Sequence, residues 1–173
     1  MNNLHLSNRL MWLTVLSGFT PTSNTVQTAR SLTVYAFLST ECPISQQYVR
    51  QLTHLERHYG PSGIRFMAWF PLRTDSPRLI HRFRTEYGLS FAGKPDPGAQ
   101  LARQLRVRVT PEVVVMQSDG RVRYQGAIDD WYVALGKHRP EATQHYLRDA
   151  LDAVLARKEV LVSKTDAVGC LVE

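Results

Sequence analysis

Two cysteines, Cys42 and Cys170, are the residues of this 173-residue chain whose type and placement best suit chemistry. Cys42 stands between a β-branched apolar run and a helical pattern that opens with Pro43. A thiol there faces unpaired backbone N–H groups and the positive end of the helix dipole, and both favour thiolate over thiol. The thiolate is the nucleophile in disulfide exchange and in peroxide reduction. The spacing therefore nominates Cys42 as a reactive sulfur, against the plainer alternative of a small buried hydrophobe closing a strand. Thr110-Pro111 is the second feature, because it leads into another apolar run. A Pro in that loop can be cis and would set its backbone beside the thiol; the plainer alternative is punctuation at a strand start. Glu41 and Glu112 adjoin these two sites. A carboxylate beside a thiolate raises its pKa, and it can also shuttle protons.

The elements that must position these residues follow from periodicity. Leu32 to Leu38 and Ile64 to Phe70 read as buried strands. Ile44, Tyr48, Leu52, Leu55 and Tyr59 recur at spacings of three and four, which predicts a helix after Cys42, stopped by Gly60-Pro61-Ser62-Gly63. Asp75-Ser76-Pro77 predicts a helix start, with the helix running to about Tyr87-Gly88. Asp96-Pro97 opens a short helix through Leu101 and Leu105. Val113 to Met116 is a strand, Asp119-Gly120 a hairpin turn, and Val122 to Tyr124 the return strand. Pro140 is expected to open the last helix, with Tyr146, Leu147, Leu151, Val154 and Leu155 on its apolar face. This alternation predicts an α/β fold, with a central mixed sheet flanked by helices.

A strand, a Cys-Pro at a helix start and a Thr-Pro before a hairpin resemble the thioredoxin-like superfamily, from about Leu32 to Arg157. Redox thioredoxins carry two cysteines separated by two residues; here Cys42-Pro43-Ile44-Ser45 places Ser45 at the second position. Against the peroxiredoxin branch, Ser39 fits the hydroxyl position. Tyr35 stands where a Pro is expected, however, and Thr110-Pro111 where an Arg is usual. The nearer likeness is to bacterial redoxin-domain proteins of the AhpC/TSA type. It rests on the Cys-Pro-Ile start, Thr110-Pro111-Glu112, Gly126-Ala127-Ile128-Asp129-Asp130 and Gly169-Cys170. The resemblance implies a thioredoxin-like fold and a thiol-dependent oxidoreductase. In it Cys42 attacks a protein disulfide or a peroxide, Cys170 resolves the product, Thr110 and Pro111 offer backbone to the partner, and an external reductant restarts the cycle. The other class of reading is a non-catalytic binding module, either a Cu(I) carrier or a degenerate redoxin.

Cys170 follows the last predicted helix in a tail, residues 159–173, beyond a domain at 31–158. A cycling pair with Cys42, a permanent staple and two unrelated thiols all stay open. A bridge closing so long a loop is worth about 5 kcal/mol on a chain-entropy model. A Cu(I) site would draw on both cysteines and on His138 or His145. His54, His58 and His81 are expected at exposed helical positions. Asp129 and Asp130, near Lys137, His138 and Arg139, form either a functional loop or a salt-bridged connection. No cofactor and no resident metal are expected: the chain lacks a Cys-x-x-Cys-His, a phosphate-binding glycine loop, a nucleophile elbow and a dinucleotide fingerprint.

Composition sets the outer bounds. With 43% hydrophobic and 21% charged residues, the chain can bury one core and is not disordered as a whole. The formal charge of +6 is spread among acids from Arg57 onward, so no nucleic-acid stripe forms. The apolar run Leu10–Phe19 is too short to span a bilayer. Residues 1–30 do have the order of a secretory leader: Arg9, then the apolar run, then a polar Thr/Ser/Asn segment. A periplasmic or secreted location is expected on that basis, with the cytoplasm as the alternative.

Overall fold

β1 (Leu32–Phe37) is a central strand because both of its faces are apolar enough to be covered. In the computed structural model, which describes residues 31–172, it lies between a parallel and an antiparallel neighbour. The leader expected at residues 1–30 lies outside the described residues. α1 (Pro43–Tyr59) follows β1 and leads into β2 (Ile64–Phe70). Next come α2 (Pro77–Tyr87), β3 (Gly93–Pro95) and α3 (Gln100–Gln104). After them run β4 (Val109–Thr110), β5 (Glu112–Gln117), β6 (Val122–Gly126), β7 (Tyr132–Ala134), β8 (Lys137–His138), α4 (Tyr146–Leu155) and β9 (Cys170–Leu171).

The main sheet has the order β3-β2-β1-β5-β6. β1, β2 and β3 run parallel, while β5 and β6 form the antiparallel side. Strand alternation sorts the core into two clusters. Val34, Ala36, Val113 and Val115 pack with α1, α2 and α4 through Leu52, Phe83 and Leu151. Phe37 and Val114 pack with Ala102 and Val107 on and after α3. The mixed sheet with covering helices is the fold class expected from the sequence.

The apolar spacing of α1 buries Ile44, Tyr48, Leu52, Leu55 and Tyr59, and His54, His58 and His81 are exposed as expected. Ser76 is the residue that caps α2, its hydroxyl accepting from Leu79 N–H. Asp96-Pro97 opens a 3₁₀ turn at Pro97–Ala99 rather than α3 itself, which starts at Gln100; the Asp96 carboxylate still accepts from Leu101 and Ala102 N–H at 3.0 and 2.9 Å. The last helix departs from expectation, beginning at Tyr146 rather than Pro140. The cause is Asp130: its carboxylate accepts from Thr143 N–H, Thr143 Oγ1 and Gln144 N–H. Those bonds bind residues 143–144 to a loop and compete with a helical turn. Three short pieces, β3, β4 and the β7–β8 hairpin, are too brief for periodicity to reveal.

Residues 159–172 return across the domain. Gln125 N–H donates to Ser163 O and Thr165 N–H to Gln125 O. Thr165 Oγ1 lies 2.6 Å from the Tyr124 hydroxyl and accepts from Ala127 N–H at 3.0 Å. This clip needs Gly126, whose φ is +145° and whose missing Cβ would stand 2.3 Å from both Thr165 O and Thr165 Oγ1. Strain and collision act together at that position. Gly126→Ala should therefore lower unfolding stability by about 1–3 kcal/mol in urea titrations. A change within about 0.5 kcal/mol, as at an ordinary surface site, would mean that the clip is loose.

Candidate active site

Cys42 is the N-cap residue of α1, in extended backbone (φ −85°, ψ 113°), with Pro43 in the first turn. Helix entry is organised by the three residues before it. Ser39 Oγ accepts from Glu41 N–H, and Ser39 O accepts from Cys42 N–H at 3.3 Å. Thr40 donates twice to one oxygen of Asp75, from N–H at 2.9 Å and from Oγ1 at 2.6 Å. Asp75 is almost fully buried, and burial pushes its carboxyl above the usual range, more than the Thr40 bonds pull it down. In the sequence Asp75 marks a helix start; its anchoring of the turn before Cys42 is a long-range contact with no local signature.

Thr110-Pro111 is a cis peptide bond, as the sequence allowed. Thr110 is fully buried, and its carbonyl accepts from the Cys42 thiol at 3.1 Å when that thiol is protonated. β4 pairs antiparallel with β9, with Thr110 opposite Cys170 and Val109 opposite Leu171. Val172 N–H adds a bond to Arg108 O at 2.9 Å. The result is that Cys170, 128 residues from Cys42, donates its thiol to Cys42 Sγ across 2.7 Å. Both cysteines are free thiols; Cys42 is 1% exposed and Cys170 half-buried.

The two sulfurs differ in acidity. Burial alone would raise Cys42, yet its pKa lies below the ordinary cysteine value. The thiolate is stabilised by the Cys170 thiol, by the N–H and hydroxyl of Ser45, and by the N–H of Cys170. Cys170 moves the other way, to about 12, through burial, through the bond it donates to Cys42, and through the charge that Cys42 carries. Ser45 is fully buried beside Cys42, its Oγ also accepting from Ser39 N–H at 3.2 Å. In the second position of the motif it acts as a hydrogen-bond donor to sulfur.

The remaining candidates are held elsewhere. Glu112 accepts from Arg108 N–H and Gln125 Nε2, and Glu41 accepts from Thr74 Oγ1 on the surface. Asp129 is buried, bonded to the Tyr48 hydroxyl at 2.5 Å, Gln51 Nε2 and Trp131 N–H. Asp130 also pairs with Arg139 at 3.2 Å, so the Asp129-Asp130 segment is a structural connection. His138 packs against Trp131 and Tyr132, with Nδ1 at Arg139 O. Among the described residues, no three His, Cys, Asp or Glu side chains gather as a metal site. No helix among them is long and apolar enough to cross a membrane.

No protein-family model matches the chain, and no curated protein does. Solved structures do match. A hypothetical protein from Sinorhizobium meliloti 1021 superposes with a TM-score of 0.72 at 24% identity, over 83% of this chain and 79% of that one. An uncharacterized conserved protein from Geobacillus kaustophilus gives 0.71 at 24% identity, over 83% and 77%. A candidate thiol:disulfide interchange protein, DsbE, from Chlorobium tepidum gives 0.57 at 20% identity, over 72% and 80%. Thioredoxin-like proteins are among the further matches. The chain has the thioredoxin-like fold.

Proposed function

We propose that this protein is a thiol-disulfide oxidoreductase with Cys42 as nucleophile and Cys170 as resolving thiol. The observation that carries the reading is the 2.7 Å approach of the two sulfurs at a helix start beside a cis Thr-Pro bond. A disulfide needs sulfurs about 2.05 Å apart, so bridge formation asks for little movement. The likeness to an interchange protein and to thioredoxin-like proteins supports the same class of reaction.

In the reductive direction the Cys42 thiolate attacks one sulfur of a partner disulfide. A bond forms between Cys42 and that sulfur, and the partner's other sulfur leaves as a thiolate and takes up a proton. Cys170 then gives up its proton and attacks Cys42 Sγ, expelling the partner's first sulfur as a second thiolate. The protein ends as the Cys42–Cys170 disulfide and the partner as a dithiol, two electrons having passed between them. An external dithiol reverses these steps to restart the cycle. Thr110 and Pro111 position both sulfurs, since the Thr110 carbonyl bonds the Cys42 thiol and Thr110 itself pairs with Cys170. An exported location suits this chemistry, given the leader-like order of residues 1–30 and the stability of such bridges in oxidising compartments. Disulfide exchange is preferred to peroxide reduction because the second thiol already touches the first, while Tyr35 and Thr110-Pro111 depart from the peroxidase pattern.

Mass-spectrometric mapping after mild oxidation should find a Cys42–Cys170 bridge that ordinary dithiols reverse. Cys42→Ser should abolish turnover of a model disulfide under a regenerating reductant. Cys170→Ser should still form a mixed disulfide on Cys42 but should turn over at least about tenfold more slowly. Full turnover by the Cys42→Ser protein would refute the assignment.

The acidities give a second test. Ultraviolet thiolate absorbance should show Cys42 ionising with a midpoint below the ordinary cysteine value, and Cys170 only at far more alkaline pH. Cys170→Ala removes the thiol that bonds the Cys42 thiolate, so the Cys42 midpoint should move upward. A midpoint that stays put would assign the lowered value to Ser45 and the helix end alone.

A further inference from the structure

Cys42 cannot be reached as it stands. It is 1% exposed, and Cys170 Sγ rests on its sulfur. Any exchange with another protein must first clear that position, because a thiolate attacks a disulfide in line with the bond it breaks. The segment that covers Cys42 is attached in an uneven way. Its upstream part is clipped through Ser163 and Thr165 to Gln125, Tyr124 and Ala127. Its downstream part is held by the two-residue strand β9, the Val172–Arg108 bond, the Cys170–Cys42 contact and the partly buried side chains of Val168 and Val172 on the core. Beside the segment lies a cleft of about 410 Å³ whose lining includes Arg106, Arg108, Gln125, Lys164, Asp166 and Leu171. The Arg108–Asp166 ion pair across it is largely exposed and adds little. Leu171, in the strand itself, is 75% exposed.

We propose that residues 166–172 are a displaceable strap lying on the edge where a protein substrate docks. The substrate segment that replaces it is an extended strand with glycine immediately before its disulfide-bonded cysteine. This rests on the exchange reading above and adds to it a substrate class. The edge of Arg108–Thr110 takes an antiparallel strand, and the strap already supplies one that puts a cysteine on Cys42. A substrate strand added at the same edge gains its backbone bonds by the same pairing. Its residue before the cysteine then meets the constraint that Gly169 meets. A Cβ at 169 would stand 2.2 Å from Thr110 O and 2.6 Å from the carbon of that carbonyl. Both are backbone atoms fixed between β4 and β5, and they cannot swing aside as a side chain does. The demand for glycine is steric and belongs to the edge, so it applies to whichever strand lies there.

The reaction follows in order. The strap leaves and the substrate strand takes the edge. Cys42 attacks the substrate cysteine's sulfur, and the sulfur formerly bonded to it departs as a thiolate. The strap returns as the substrate strand lifts, and Cys170, losing its proton to the departing sulfur, forms the bond to Cys42 and frees the substrate thiol.

The test uses full-length protein and peptides ending in Gly-Cys-Leu-Val, with the cysteine held in a mixed disulfide with thionitrobenzoate, whose release is read by absorbance. Two variants loosen the strap by different means: Gly169→Ala collides with Thr110 O, and Val172→Pro deletes the donor to Arg108 O. Each peptide rate is divided by the Cys42 thiolate fraction of the same protein, read from ultraviolet thiolate absorbance, so that changes in acidity cancel and changes in access do not. The expected result is a rise in that ratio of about fivefold or more in both variants, because strap occupancy reduces the competent fraction. A peptide with Phe in place of the glycine should react at least about tenfold more slowly than the glycine peptide in every protein. An unchanged ratio in both variants overturns the strap, and equal rates for the Gly and Phe peptides overturn the glycine requirement. Exchange with hydroxyethyl disulfide that survives in those cases leaves the oxidoreductase reading standing. Its loss in the wild-type protein would remove that reading and the strap with it.

Discussion

The antiparallel contact between Val109–Thr110 and Cys170–Leu171 is the constraint on which the meeting of the two sulfurs depends. Without it the two sulfurs are separated by 128 residues; with it they touch. Thr110 carries the contact. Its carbonyl meets the Cys42 thiol from one side and the bare Cα of Gly169 from the other, and the cis bond to Pro111 turns the chain into β5. A ladder of two residues contributes about 1 kcal/mol for each hydrogen bond, little more than the cost of ordering the chain that makes it. Partly buried Val168 and Val172 add apolar contacts to the strap, and its polar clip lies upstream. There Tyr124, fully buried, donates to Ala127 O and meets Thr165 Oγ1, while Gly126 leaves room for the passing backbone.

The same hydrogen bond makes the two sulfurs unequal. By donating to Cys42, the Cys170 thiol stabilises a thiolate there and makes its own ionisation harder. In the resting dithiol this separates the roles proposed for them, Cys42 as nucleophile and Cys170 as keeper of the proton. The arrangement relaxes when it should. Once Cys42 is joined to a partner's sulfur it bears no charge, so two of the three influences that raise Cys170 disappear and only burial stays. Cys170 thus becomes easier to ionise in the step that needs it as a thiolate.

The sheet, the Cys42-Pro43 helix start and the Thr110-Pro111 turn are legible in the sequence for a common reason: each is written locally. A β-branched run next to a Cys-Pro helix start needs only a dozen residues to be recognised, and the apolar spacing of α1 repeats over four turns. The first turn of the last helix was misplaced because Asp130 binds Thr143 and Gln144 from outside the window. Asp75, which fixes the turn before Cys42 through Thr40, went unseen as an anchor for the same reason. The pairing of Cys42 with Cys170 stayed open because a two-residue strand has no period. Gly169 carries no positive φ that would mark it as a turn, and its meaning exists only against Thr110.

A thiol that resolves from a strap faces opposing demands. Held too firmly, it keeps Cys42 buried and partners wait for the strap to open. Held too loosely, its effective concentration at Cys42 falls and mixed disulfides outlive their use. The division of attachment here separates those demands. The clip at Ser163–Thr165 keeps the tether short whether or not the strap is docked, so Cys170 always returns from nearby. The two-residue strand and the packing of Val168 and Val172 set how often it leaves. Gly169 belongs to the second part: it lets the strand close down on Thr110 without adding side-chain contacts that would hold it there. A larger residue would be excluded and a longer strand would be locked, so a short strand entered through glycine is the form that both seats the thiol and releases it.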